Sequence, residues 1–372
     1  MLLRNLRLQR FRNHIDSLFE FGSGSNVLLG DNGHGKTNVI EAISYLCLTK
    51  SFYAGSDANV LNFESDAFEI EGTLVSEHGK EYRVHVAYSK DQTEKVFIIN
   101  RRRIEPFSSV IGKFPVVICS PEHSPVTVRG PSERRKFVDF VVSQSSSVYF
   151  ENLLEYRRVL RQRNKILMDA KTGKNDVTRL LEPWDEQLIS RGGFLMQKRM
   201  EFVVEFQKFI SPAYHRLVGE GEEPTIGYEP AGPNAVDRDI QEGLRFQIKE
   251  MAAEERRFGT TLVGPHRDEF ALKINGLDLR KFASQGQHKT FLIALKMGEF
   301  FYLKERCQET PILLLDDIFS ELDEHRSSRL LDFVGTLNQA FITSTSPGLF
   351  GKGMLENGQN RVFRIANGKI AA

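Results

Sequence analysis

Residues 25–48 read SNVLLGDNGHGKTNVIEAISYLCL, and the changes of pattern inside this stretch decide the fold. SNVLLG (25–30) is a short apolar run ending in glycine, which predicts a buried strand. Gly30-Asp31-Asn32-Gly33-His34-Gly35-Lys36-Thr37 then satisfies GxxxxGK(S/T) at every fixed position. Past Thr37 the period changes, and Val39, Ile40, Ile43, Leu46 and Cys47 fall on one face of a helix. Glycines let the backbone curl so that successive N–H groups point into one concavity, which suits phosphate oxygens. The helix that starts there adds the positive end of its dipole. Lys36 is expected to bridge β- and γ-phosphates, Thr37 to offer its hydroxyl to Mg2+, and Asn38 to close the same candidate site. The bland alternative is a chance glycine-rich turn. It loses ground because the full pattern stands between a predicted strand and a predicted helix.

Working outward, PILLLDD (311–317) is a second buried-strand run, and it ends in two acids. At the carboxyl end of a parallel strand such acids face ligand. Asp316 is assigned to Mg2+ through water and Asp317 to polarising the attacking water. Standing by themselves the acids could equally cap the next element. Simple kinases and small GTPases place lysine and acid much closer in sequence. The guanine-reading NKxD pattern is also absent, because Asn164-Lys165 has Leu167 where aspartate is needed. Ser284-Gln285-Gly286-Gln287 precedes a helical run containing Phe291, Leu292, Leu295 and Phe300. Ser284 and Gln287 form an S-x-x-Q capping box. The same serine and glycine at a helix N-terminus also form an anion site. Ser320-Glu321-Leu322-Asp323 follows directly on the paired acids.

The chain has 372 residues, 40% of them apolar and 27% charged, enough for a real core. That length suggests two or three domains, or one large domain with an insertion. Fifty Lys+Arg against 49 Asp+Glu rule out a uniformly basic coat, so any polyanion must be met by local patches. Cys47, Cys119 and Cys307 form no CxxC pair, which argues against a disulfide framework or zinc finger and fits a reducing compartment. MLLRNLRLQRFRN has no apolar signal core, and no apolar run approaches a spanning helix, so an intracellular chain with no membrane partner is expected.

Strand patterns fill much of the first hundred residues, with antiparallel hairpins predicted across EIEGTLV, EYRVHVAY and EKVFIIN. From 131 to 257 helices dominate, with a turn expected at TGKND (172–176) and a loop at 219–234. TTLVG and FALKING predict returning strands, and a second strand–helix alternation fills 284–372. The expected architecture is an α/β ATPase-type lobe, a mixed sheet with an antiparallel β part, made from 1–130 and 258–372. A mainly α-helical lobe, 131–257, is inserted between them.

Together the four motifs resemble the ABC-type P-loop ATPases: Walker A, a signature motif of the SGGQ sort, Walker B, and a D-loop carrying SxLD. The resemblance implies that Ser284, Gly286 and Gln287 cap the γ-phosphate of ATP held by a second copy. Lys36, Asp316, Asp317 and Ser284 would be the catalytic set, with Thr37 and Asp316 on Mg2+. RFRNH (10–14), LTKSF (48–52), SPE (120–122), PSERRKFVD (131–139), GPHRDEF (264–270) and ASQGQHKT (283–290) narrow this to the RecF family of bacterial recombination mediators. What that family implies is an ATP-dependent homodimer clamping gapped DNA at single-strand/double-strand junctions. It would act in the cytoplasm with RecR and RecO in RecA loading and the SOS response. Departures are visible. Asp317 stands where transporter ATPases have glutamate, so slow, switch-like hydrolysis is expected. Thr343 and Thr345 stand where a switch histidine is expected. Glu122 is a weak substitute for the Q-loop glutamine.

For DNA, the basic run 156–174 offers Arg157, Arg161 and Lys165 at i, i+4, i+8, within a local excess that also counts Arg158, Arg163, Lys171 and Lys174. A solvated helix face is the competing reading. Arg101-Arg102-Arg103 could be a basic hairpin tip. Arg134 and Arg135 sit at a helix start, where arginine gains nothing from the dipole, so either phosphate or a structural ion pair is expected there. His266-Arg267-Asp268 reads as structural. The many phenylalanines read as core. Another SMC-like ABC ATPase, a small-molecule phosphotransferase and a nucleotide-gated nuclease stay open, the last without a visible acidic Toprim cluster.

Overall fold

A computed structural model describes residues 1–172, 177–231, 239–351 and 358–371. The chain forms two compact units: 1–124 with 212–220 and 284–372, and 125–211 with 221–283. The first unit opens with β1 (Leu2–Phe11), β2 (His14–Glu20) and β3 (Ser25–Leu29), then α1 (Lys36–Leu48). There follow β4 (Ala67–Val75), β5 (Glu81–Ser89), β6 (Glu94–Ile99), β7 (Arg102–Arg103) and β8 (Val116–Cys119). Period-two alternation produces an antiparallel sheet in the order β2-β1-β4-β5-β6-β7, so the hairpins predicted between β4, β5 and β6 are present.

The second unit begins with α2 (Pro125–Val128), α3 (Pro131–Ser145), α4 (Ser147–Thr172) and α5 (Thr178–Val218), a 41-residue helix whose residues from Pro212 group with the first unit. Then come β9 (Pro224–Glu229), α6 (Ile240–Phe258), β10 (Glu269–Ile274), β11 (Leu277–Asp278) and α7 (Leu279–Phe282). The first unit resumes with α8 (Gln285–Cys307), β12 (Ile312–Leu315), α9 (Glu324–Gly335), β13 (Ala340–Ser344), β14 (Arg361–Ala366) and β15 (Lys369–Ala371). Its second sheet runs β15-β14-β3-β13-β12-β8, parallel throughout except for β15. β3, β12 and β13 in the middle of the sheet and β8 at its edge are buried at every residue, as parallel strands covered on both faces must be.

Phenylalanines hold the first unit together. Phe11, Tyr45 and Phe68 meet edge to face at 5.4–5.7 Å between ring centres. Phe21 packs on Phe341 at 4.8 Å. Such pairs add about 0.5–1.5 kcal/mol beyond the area they bury.

Two local expectations are corrected. Residues 219–234 are not all loop, since Pro224–Glu229 forms β9 against β10, with Ile226 opposite Leu272. Gln207 caps its other edge by accepting from the Ile226 N–H and donating to the Pro224 carbonyl. Gly- and Glu-rich flanks hid this short strand, and 232–234 lie outside the described residues. TTLVG forms no strand. Its N–H groups find acceptors outside any ladder, Thr260 the Glu255 carbonyl, Thr261 the Asn164 side chain and Leu262 the Glu255 side chain. The turn expected at TGKND lies outside the described residues from 173 to 176.

Candidate nucleotide site

The site is built at the carboxyl edge of the parallel sheet. β3 delivers the glycine loop, β12 the acids Asp316 and Asp317, β13 Thr343, and β8 the segment Ser120–Glu122. α1 starts at Lys36, and Gly35 precedes it with φ +103°. That conformation, and a Cβ that would come within 2.5 Å of Asn13 Oδ1, restrict the position to glycine. No side chain caps this N-terminus. Its opening N–H groups are therefore available to an anion.

Thr37 Oγ1 donates to Asp316 Oδ1 at 2.9 Å, which joins loop and acid across almost the whole length of the chain. Thr343 Oγ1 donates to the same oxygen at 2.9 Å and accepts the Asp317 N–H at 2.8 Å. Lys36 Nζ donates to the carbonyls of Gly30 and Asp31 at 2.7 and 2.9 Å. Burial raises Asp316 above the ordinary aspartate range, opposed by the bonds from Thr37 and Thr343. Burial also lowers Lys36, opposed by Asp317, Asp316 and Asp31. A cavity of about 320 Å3 is lined by Arg12, Thr37, Tyr53, Glu122, Asp316 and Asp317, with Asn38 at its wall. Hydroxyl and carboxylate oxygens meeting at one point are the hard donor set Mg2+ prefers, so the residues present fit that ion.

Asn32, Gly33 and His34 complete the loop. The Asn13 amide stands 3.5 Å from the Gly33 carbonyl, and His34 accepts from the Gly368 N–H. Ser284 caps α8, accepting from the Gln287 N–H at 3.2 Å while Gln287 accepts from the Ser284 N–H at 2.9 Å. The capping box is thus real, and Ser284 and Gly286 are nonetheless solvent-facing or partly so. Arg326 reaches over Gly286, where a Cβ would come within 3.2 Å of its Nη1, and the same guanidinium binds Asp323 at 3.0 Å. Ser284, Gly286 and Gln287 do not line the cavity that holds Thr37 and Asp316.

Residue-type patterning missed a supporting network. Arg12 grips the buried Glu41 with two bonds of 2.8 Å, and Ser51 donates to Glu41 at 2.5 Å. His14, fully buried, is 3.1 Å from the Gly35 carbonyl. RFRNH and LTKSF carry these groups, with Arg12 in the turn between β1 and β2 and His14 at the start of β2.

In the second unit, Arg157, Arg161 and Lys165 are exposed on α4 as the spacing requires, with Arg157 also 3.4 Å from Asp139. Arg163 is not part of that face. It is buried and bound to Asp185, Glu255 and Thr261 at 2.6–2.9 Å. Lys174 lies outside the described residues. Arg134 is 2% exposed, with Nε donating to the Val126 carbonyl and Nη1 to Glu269 and the Phe270 carbonyl, while its buried Nη2 has no partner among the described residues. The phosphate-contact expectation for Arg134 is corrected to a structural ion pair, because a buried guanidinium presents no face to a duplex. Arg135 donates to the Asp268 carbonyl at 2.5 Å and keeps partial exposure. Arg103 at the hairpin tip is paired with Glu94 and Glu105. His266 is held between the Tyr156 hydroxyl and the Thr261 carbonyl, and burial pushes it down to about 4, a neutral ring built into the fold.

Residues 2–370 match the family described as RecF/RecN/SMC N terminal domain. The chain is 38% identical to the DNA replication and repair protein RecF of Salinibacter ruber, over 99% of this chain and 91% of that one. It is 41% identical to the RecF of Chloroherpeton thalassium, over 93% and 95%. A solved structure of the recombination mediator protein RecF with ATP, in the RecFOR pathway, superimposes with a TM-score of 0.89 at 31% identity, covering 99% of this chain and 96% of that chain. With its phosphate loop, strand-end acids and mixed sheet arranged as an ABC-type ATPase head, this chain belongs to the RecF family of DNA replication and repair proteins.

Proposed function

We propose that this chain is an ATP-driven switch that binds DNA in recombinational repair and replication restart. The carrying observation is the 2.9 Å contact between Thr37 and Asp316, which gathers the phosphate-loop hydroxyl and both strand-end acids around one cavity. The N–H groups from Gly33 to Thr37 hold the phosphates of ATP, and Lys36 exchanges its two carbonyl acceptors for phosphate oxygens. Thr37 and, through water, Asp316 would hold Mg2+, which would supply positive charge to the phosphates. Asp317 orients the attacking water. Its side chain is one methylene shorter than glutamate, which supports slow turnover.

Ser284, Gly286 and Gln287 at the start of α8 cap the γ-phosphate bound by a second copy, so ATP binding drives a homodimer and hydrolysis releases it. Nucleotide shared by the dimer shifts association by mass action. The ATPase parts lie within 1–130 and 258–372, of which 125–130 and 258–283 group with the second compact unit. The inserted 131–257 meets DNA phosphates through Arg157, Arg161 and Lys165, with Arg135 beside them. Gapped DNA with a single-strand/double-strand junction is the substrate, and DNA stimulates the ATPase. RecR and RecO are the partners, RecA loading and SOS induction the outcome, and the cytoplasm the place. Among the described residues no helix is long and apolar enough to cross a membrane.

Solution mass by light scattering, with and without Mg-ATP, tests this reading. Wild type is expected to double in mass with Mg-ATP while Ser284→Arg binds ATP and stays monomeric. Equal ATP-dependent doubling by both chains would remove the trans-capping role of Ser284.

A further inference from the structure

We propose that Thr343 is a positioning residue that holds both strand-end acids in their working orientation, an inference that rests on the ATPase reading of this site. Thr343 lies on β13, which is flanked by β12 and β3, and is 1% exposed. Its hydroxyl makes two bonds whose directions are fixed by chemistry. The Asp317 N–H can only donate, so Oγ1 accepts it at 2.8 Å. An ionised Asp316 carboxylate can only accept, so the Thr343 proton goes to Oδ1 at 2.9 Å. One hydroxyl thus ties the backbone of one acid to the side chain of the other.

The backbone of Asp317 needs such a tie. Its φ is +50°, a region that residues with a Cβ enter rarely and hold only when their surroundings over-determine it. Ser320 Oγ donates to the Asp317 carbonyl at 2.8 Å, so both peptide groups of the residue are held. The left-handed turn aims the Asp317 carboxylate toward the cavity that Thr37 and Asp316 also line. Of the two threonines standing where a switch histidine was expected, Thr345 is exposed and Thr343 is inward. The hydroxyl proton of Thr343 is committed to Asp316, so Thr343 acts through the acids and does not itself read the γ-phosphate.

Thr343→Val keeps the shape and deletes the hydroxyl, and Thr343→Ser keeps the hydroxyl. Amide hydrogen exchange at Asp317 in the nucleotide-free chain is the first readout. Exchange is expected to quicken by about tenfold or more in Thr343→Val, because the N–H loses its acceptor, and to stay near wild type in Thr343→Ser. Steady-state turnover should fall by about 10–100-fold in Thr343→Val with the Kd for a fluorescent ATP analogue changed by less than about threefold, and Thr343→Ser should recover turnover to within about threefold. Unchanged Asp317 exchange in Thr343→Val overturns the proposal. So does equal loss in both variants, which would mean packing, or a parallel loss of affinity and turnover, which would mean direct nucleotide contact. Lys36→Ala is the control. If it turns over ATP as fast as wild type, the ATPase reading fails, while Asp317 exchange still decides the tie.

Discussion

Two regions of this molecule are equally rich in charge and do opposite things. At the sheet's carboxyl edge, Thr37, Asp316 and Asp317 border a cavity, and the neighbouring Lys36 donates to two loop carbonyls. In the second unit, Arg199 binds Asp139 at 2.7 Å and the Pro265 carbonyl at 2.6 Å, and lies 3.7 Å from Asp268. Tyr149 and Tyr228 donate to the two acids, and none of these residues lines the cavity beside Thr37 and Asp316. The lesson is that buried charge marks a functional site only when its hydrogen-bonding capacity is unspent and a ligand can reach it. PSERRKFVD and GPHRDEF carry the acids and carbonyl that hold Arg199, so these family segments identify a structural knot, whereas GDNGHGKT and LLLDD identify a site.

Breaking the knot should have the largest effect. Arg199→Met leaves Asp268, 0% exposed, without the cation 3.7 Å away, and leaves Asp139, 6% exposed, with only the more distant Arg157 at 3.4 Å. The expected loss is about 3–5 kcal/mol in denaturant unfolding. A change below about 1 kcal/mol would mean that the two regions do not differ in the way described. Opening the other region should show the reverse. Lys36→Ala or Asp317→Asn should cost about 10²–10³ in ATP turnover, on the scale of one lost electrostatic contact to a transition state, with the melting temperature nearly unchanged.

Acid should sharpen the contrast through His266. Its folded value, about 4, lies below the ordinary histidine range near 6.5. The unfolded chain therefore binds the extra proton first, and stability rises with pH across that window. The contribution, roughly 3 kcal/mol, is fully present above about pH 6.5 and is lost as pH falls toward 4. His266→Gln should flatten the stability profile between pH 4 and 6.5, and an unchanged slope would place the proton elsewhere. The smallest effect is expected on the exposed stripe. Charge reversal of Arg161 and Lys165, with Arg157 kept for its 3.4 Å contact to Asp139, should leave stability nearly unchanged and lower the salt dependence of DNA binding by about 0.9 in log–log slope for each phosphate contact removed. An unaltered slope returns the stripe to a solvated helix face.

Much of this was legible in residue order. The phosphate loop, the paired acids, the capping box and the antiparallel hairpins all rest on local rules: a glycine with positive φ, a period of two or 3.6, a serine three residues before glutamine. Distance in sequence hid the rest. Nothing local says that Arg163 turns inward while Arg161 and Lys165 stay out, since all three belong to one basic run. Burial of Arg163 follows from Glu255 and Asp185 on other helices. Arg134 was equally undecided until Glu269 and the Phe270 carbonyl met it from β10.

The sequence by itself determined what kind of chemistry this protein is equipped for, because a phosphate loop is a continuous segment whose geometry is set by its own glycines and the helix that follows. Tertiary structure alone decided which of the remaining charged residues are spent and which are available. Thr37 meets Asp316 and Thr343 ties Asp316 to Asp317 only because β3, β12 and β13, distant in the chain, are neighbours in the sheet, and Arg12 closes on Glu41 only because α1 packs against β1. A hydrogen bond depends on separation in space, and sequence order carries that separation only within a few residues.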